Sequence, residues 1–295
     1  MIKTKSAFVV NILIKLFFII FSVGFIIPLI YIISASFTNE DVLISQGFSI
    51  IPEKFDLTAY RYAFKNMEQM INSYSTTIFF SVVGTVLGLL VMSLMAYPLS
   101  KTNYKLRKPL TFYIAFTMLF SGGMIPSYIL NTQYLHLGNT IWIYILPSLA
   151  SAWHIVIIRT FFQGLPSELS DAAKIDGCSE WRTFFRIILP LSKPVLATVA
   201  VMTLVAKWND WQTSLIYIRN PKLYSLQYLL QKMLQESEFL KNMIETAPSM
   251  VNNATPPAEN LKFAMCIIAA GPMLVVFPYF QKYFSKGLTV GAVKG

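Results

Sequence analysis

Six separate stretches of this chain are apolar for about twenty residues or more, long enough for a helix to cross a hydrocarbon layer. They lie at roughly 12–36, 73–99, 110–130, 140–162, 190–213 and 261–281. A water-soluble domain cannot hide six such runs. Composition agrees, because only 13% of residues are charged and the mean hydropathy is +0.55, against about 25% charged in ordinary soluble domains. The expected fold is an all-α membrane protein, one transmembrane domain over 1–295 with six spanning helices. The basic start at Lys3 and Lys5, with the apolar run from Leu16 to Ile33, has the order of a signal peptide. The run exceeds the roughly 7–15 residues of a signal core, and no small-residue cleavage site follows. It reads as a retained membrane helix.

Charge sets the orientation, because basic residues collect in cytoplasmic connections. With the N-terminus inside, the inner segments hold 15 bases and four acids, and the outer segments hold nine bases and ten acids. The inside nets +11 and the outside −1, so both termini are expected in the cytoplasm. The basic excess is explained by topology, and nucleic acid is not needed as a partner. Membrane lipid is.

Several local features shape the connections. Asn139 and Thr140 are positioned to cap the fourth span. Pro194 suits the first turn of the fifth. Leu226 to Ile244 carries apolar residues at helical spacing in the third outer connection, before the loop-like "ETAPSMVNNATPPAEN". Cys178 and Cys266 are far apart and read as free thiols. The two histidines, His136 and His154, show no metal-ligand spacing, and His154 reads as a packed polar residue. Gly84 and Gly88 form a GxxxG that permits close helix approach.

Asp171 to Pro194, "DAAKIDGCSEWRTFFRIILPLSKP", breaks the apolar pattern with seven charges in 24 residues. It falls between spans four and five, on the inner side. Ser167 can cap a helix that Gly177 ends. A second helix from Ser179 to Ile188 would bring Trp181, Phe184, Phe185 and Ile188 to one side. Two simple readings, an interfacial anchor and an ordinary loop, stay open on these grounds.

The residue pattern resembles the coupling motif of ABC importer permeases: Glu-Ala-Ala, three residues, Gly, nine residues, Ile, one residue, Leu-Pro. Asp171, Ala172, Ala173, Gly177, Ile187, Leu189 and Pro190 match it at every gap, with Asp in place of Glu. "FSGGMIPSYIL", "WNDW", "LYSLQYLL" and "QKYFSKGLTVGAVKG" are similar to the carbohydrate-uptake branch, the maltose-type second permease, and most to permeases for complex oligosaccharides. The likeness runs from the first span to Gly295. It implies a type I importer fold with a cytoplasmic coupling helix in 167–190. It also implies a second permease subunit (a heterodimer), two ABC ATPase subunits, an extracytoplasmic solute-binding protein and a place in the bacterial cytoplasmic membrane.

On this reading the chain is no enzyme and has no catalytic residue or metal site. It lacks the Gly-Lys of a P-loop, so ATP and Mg belong to the partner ATPases. Glu168, Asp171, Ala172, Ala173, Asp176, Gly177, Ile187, Leu189 and Pro190 are the expected coupling residues. Ala172, Ala173 and Gly177 would let backbone enter an ATPase cleft, Asp171, Lys174 and Asp176 would touch its rim, and Trp181, Phe184 and Phe185 would brace the pair against the membrane domain. The tail at Gly291 to Gly295 is expected either to reach the ATPases or to be a plain basic end. Gly122 and Gly123, with Ser121 and Pro126, break the third span and are expected either to line a sugar path or to form a kink that only shapes packing. Trp208, Asn209, Asp210 and Trp211, toward the outer end of the fifth, are expected either to form the wall of that path or a binding-protein contact, or to sit in an interfacial belt. Two alternatives are weighed against this. One is the same type of permease for a non-sugar solute. The other is a multi-pass membrane transferase, which would need an acid/base or metal cluster such as HExxH, and none is present.

Overall fold

The computed structural model describes residues 5–246 and 257–292. Among these the chain is helical, with one isolated antiparallel bridge, Thr38 to Phe55. The helices are α1 (Lys5–Ser36), α2 (Glu40–Gln46), α3 (Thr58–Ala63), α4 (Met67–Ser100), α5 (Arg107–Leu119), α6 (Met124–Ile129), α7 (Ala152–Gln163), α8 (Glu168–Ile175), α9 (Glu180–Thr183), α10 (Leu189–Leu191), α11 (Lys193–Trp208), α12 (Gln212–Tyr217), α13 (Leu226–Thr246) and α14 (Glu259–Ala292). The α13 helix matches the one expected at Leu226 to Ile244. The "ETAPSMVNNATPPAEN" loop falls mostly outside the described residues, as do Val293 to Gly295 of the tail.

The six expected spans take two forms. Three are continuous: Val10–Ser36, Met67–Ser100 and Glu259–Val276. The other three are bent pairs. Arg107–Leu119 and Met124–Tyr134 meet at 113°, Ile141–Ser148 and Ala152–Gln163 at 48°, and Glu180–Leu191 and Lys193–Trp208 at 77°. The first and third bends have local causes. At the first, Gly123 takes φ +88°, a conformation that glycine adopts without penalty. At the third, Pro190 and Pro194 stand on either side of Ser192, in the first turns of α10 and α11, where a missing N–H costs nothing.

The second bend is a correction. Residues 141–148 wind as two 3₁₀ turns, and the α-helix begins only at Ala152, capped by the Ser151 hydroxyl. Thr140 makes no cap; its hydroxyl donates back to the Leu137 carbonyl at 2.7 Å. Asn139 instead accepts from the backbone N–H groups of Arg219 and Asn220.

The chain groups into two compact units, Met1–Met67 with Leu230–Pro272, and Glu68–Leu229 with Met273–Gly295. In the first, α1 buries none of its most apolar stretch. Glu40 at the start of α2 accepts from the backbone N–H groups of Ala258, Glu259 and Asn260, so a remote carboxylate caps α14.

In the second unit the core runs along α4. Near the Leu99 end, Met92, Tyr97 and Leu99 pack with Ile155, Ile158, Phe184, Ile188 and Val199. Near the other end, Phe80 packs with Ile143, Tyr144, Ile145 and Ile218, its ring stacked on Tyr144 at 4.3 Å. Small buried residues, among them Thr77, Ser81, Gly84, Thr85 and Gly88, line α4. Lipid tails are as apolar as leucine, so close packing and hydrogen bonds, rather than escape from water, hold such helices together.

Candidate functional site

The motif residues form a compact turn of two short helices. Ser167 lies at the start of α8 in helical conformation and its side chain caps nothing. Glu168 and Asp171 occupy the first turn, where acids complement the helix dipole. The far end is a Schellman turn. Cys178 N–H donates to the Ala173 carbonyl at 2.8 Å and Gly177 N–H to the Lys174 carbonyl at 3.0 Å. Gly177 sits at φ +72°, with open space where a Cβ would be. The turn is encoded locally, and the packing of this chain does not demand the glycine.

After the turn the Ser179 hydroxyl caps α9 by accepting from Arg182 N–H. The helix then widens to π turns over Phe184–Ile188 before α10. This splits the expected aromatic face. Phe184 and Ile188 are buried, whereas Trp181 and Phe185 are exposed and stack on each other at 6.2 Å. The four lie on a stripe about 100° wide at helical spacing, and the core of this chain reaches only half of it. Trp181 and Phe185 therefore do not brace the segment against this chain. Ala173 also differs from expectation: it is buried, beside Ser170, on the inward face of α8, while Asp171, Ala172, Asp176 and Gly177 are exposed.

A cleft of about 710 Å³ lies between this segment and the Leu99 end of α4. Tyr97 O–H donates to Glu180 Oε2 at 2.7 Å, and Lys101 Nζ donates to Ser170 Oγ at 2.7 Å. Lys174 pairs with Glu180 at 3.6 Å. Burial pulls the Lys101 ammonium below the ordinary lysine value, and Glu180 works against that shift. Arg159 Nε donates to the Leu99 carbonyl at 3.1 Å and so satisfies an orphan acceptor at the end of α4. Sequence reading missed the roles of Tyr97, Lys101 and Arg159, because their partners lie 60 to 83 residues away.

The other candidates lie elsewhere. Gly122 and Gly123 are exposed in the non-helical break between α5 and α6. Trp208 is buried. Asn209 Nδ2 donates to the Val205 carbonyl, and Asp210 Oδ1 accepts from Thr213 N–H. Trp211 is half-buried and His154 likewise. Lys207, next to this group, is 6% exposed, and its ammonium donates to the Tyr144 carbonyl at 2.9 Å and to the Ser148 hydroxyl. Cys178 and Cys266 are free thiols.

Apolar, partly broken helices with a compact polar helix pair between α7 and α11 fit a membrane permease subunit. The chain belongs to the family of binding-protein-dependent transport system inner membrane components, whose model matches residues 10–290. It is the permease of an ABC importer and not an enzyme, which removes the transferase alternative. It is 43% identical over 270 residues to protein LplC of Bacillus subtilis strain 168, covering 92% of this chain and 90% of the relative. It is 37% identical over 279 residues to the polygalacturonan/rhamnogalacturonan transport system permease protein YtcP of the same organism, covering 95% and 96%. In three dimensions it resembles a chain of a bacterial ABC transporter involved in the import of the acidic polysaccharide alginate. There the TM-score is 0.76 at 28% identity, over 95% of this chain and 98% of that one.

Proposed function

We propose that this permease carries an oligosaccharide inward and receives its drive at Glu168 to Pro190 from separate ATPase subunits. The observation that carries the reading is the Gly177 turn. It presents Asp171, Ala172, Asp176 and Gly177 outward on a rigid elbow, with nothing of this chain over Gly177. A rigid, exposed small-residue elbow suits insertion into a cleft of another protein. Ile187, Leu189 and Pro190 lead from it into α11.

On this reading the whole chain works as one membrane domain with both termini cytoplasmic, as the charge asymmetry supports. It acts with a second permease, two ATPases that use ATP and Mg, and an extracytoplasmic binding protein. Saccharide cargo is supported by the relative named for polygalacturonan/rhamnogalacturonan transport and by the solved structure of a transporter involved in alginate import. The non-helical backbone at Gly122 and Gly123 supports a place beside a water-filled path, because lipid cannot satisfy exposed peptide groups. Trp211, Asn209 and Asp210 are the further path residues, and burial makes Trp208 a part of the wall behind them.

Gly177→Asp tests the docking. The variant is expected to insert in the membrane and to lose co-purification with its ATPase. Undiminished ATPase binding would refute the reading. A thermal-shift screen of the cognate binding protein against neutral and acidic oligosaccharides tests the cargo, and a response only to a non-sugar solute would overturn it.

A further inference from the structure

We propose that α4 is the element through which movement of the α8–α9 segment enters the membrane domain, with Tyr97 and Lys101 as the positioning residues of that joint. The proposal rests on the reading that α8–α9 receives the ATPase drive.

Tyr97 lies in the last turn of α4 and Lys101 is the first residue beyond the end of that helix. Each grips a different short helix. The Tyr97 hydroxyl holds Glu180 at the start of α9, and the Lys101 ammonium holds Ser170 inside α8, both at 2.7 Å. The two grips reinforce each other, since Lys101 Nζ lies 4.9 Å from the centre of the Tyr97 ring. The same ring packs on Phe184 at 5.1 Å. Ser170 and Tyr97 are both buried, so the contacts are not loose surface pairs. Two separated attachment points resist rotation of the segment about either one.

The other connections of the segment are less suited to carry motion. The link to α7 runs through Gly164 and Pro166, and the link to α11 turns by 77° between Pro190 and Pro194. By contrast α4 is continuous over 34 residues, about 51 Å at 1.5 Å per residue. Pro98 removes one N–H near its end, and the bond from Arg159 to the Leu99 carbonyl ties that turn down. Farther along, the same helix stacks Phe80 on Tyr144 and receives Lys207 against Gly84. One stiff helix thus joins the candidate docking elbow to the broken start of the fourth span.

The test uses the complete transporter with its ATPases, in a chain whose Cys178 and Cys266 are serine. Spin labels at Phe79→Cys on α4 and Met202→Cys on α11, both exposed positions, report the distance without nucleotide and after trapping with Mg-ATP and vanadate. A shift is expected in the parent chain. Tyr97→Phe and Lys101→Met, each deleting one hydrogen bond in which one of the two groups is charged, should reduce that shift by about half or more while the ATPases stay bound. Glu180→Gln keeps an acceptor oxygen for Tyr97 and should retain the shift. A full shift in both Tyr97→Phe and Lys101→Met, with ATPases bound, overturns the role of α4 and leaves the docking reading standing. Failure of the parent chain to hold the ATPases overturns both. Should Tyr97→Phe not assemble, Lys101→Met alone decides between these results.

Discussion

Lys207 of α11 lies directly against Gly84 of α4: a Cβ added to Gly84 would stand 2.7 Å from Lys207 Cε and 2.8 Å from Nζ. The glycine therefore makes room for a buried ammonium that donates to the Tyr144 carbonyl and the Ser148 hydroxyl. Its companion Gly88 faces the Leu149 carbonyl at the break in the fourth span. The GxxxG of α4 serves a lysine and a broken helix rather than a simple crossing of two regular ones.

Gly84→Ala should accordingly destabilise the folded chain by about 1–3 kcal/mol, because the lysine must leave its acceptors or the helices must part. Thermal unfolding in detergent measures this. In a Lys207→Ala background the same substitution should cost less than about 0.5 kcal/mol, since non-additivity marks residues in contact. Equal costs in both backgrounds would show that the two residues do not interact.

Gly177→Ala should weaken the α8 turn by about 1 kcal/mol through its φ of +72° alone. No clash adds to this, because no atom lies within 4 Å of the new Cβ. Gly177→Asn should cost less, as asparagine enters the left-handed region more readily. Hydrogen exchange at the Gly177 and Cys178 amides reports the opening of the turn; alanine as well protected as glycine would contradict the strain argument.

Glu40 supplies both carboxylate oxygens to the first amides of α14 at 2.8–3.0 Å. Glu40→Ala leaves three donors at that helix start without this partner and should cost about 1–3 kcal/mol. Glu40→Gln keeps one carbonyl oxygen and should cost less. Faster amide exchange confined to residues 258–260 is the signature to look for.

Asp56 gives a pH dependence. The hydrogen bond from the Thr58 hydroxyl lowers its pKa below the ordinary carboxylate value, with help from Thr58 N–H and the Asn39 amide, while burial opposes the shift. The folded value lies below the unfolded one. Its contribution is thus fully present above the ordinary value near about 4, and is lost as pH falls through the depressed one. Asp56→Asn should flatten that acid limb in a melting-temperature series between about pH 6 and pH 3. An unchanged limb would exclude Asp56 as its source.

The spans and the elbow were legible in the sequence because their causes are local. Twenty apolar residues require a helix wherever water is absent. Gly177 ends α8 through its own backbone freedom, and Gly122 with Gly123 marks the break between α5 and α6. The break in the fourth span was not read, although Pro147 and the Ser151 cap are signals for it. Its shape depends on Lys207, which reaches the Tyr144 carbonyl and the Ser148 hydroxyl from a different helix. The aromatic stripe of α9 was read as one face. Only the neighbours decide that Phe184 goes inward while Trp181 stays out.

By itself, then, the chain determined which stretches are apolar and helical and which segment interrupts the apolar pattern, since spacing and charge act within a few turns of helix. Tertiary structure alone decided the grip of Tyr97 on Glu180, the cap that Glu40 places on α14 and the seat of Lys207 on Gly84. Those contacts join residues separated by 83, by about 220 and by more than 120 positions. No local preference encodes such pairs, because they exist only once the helices have packed.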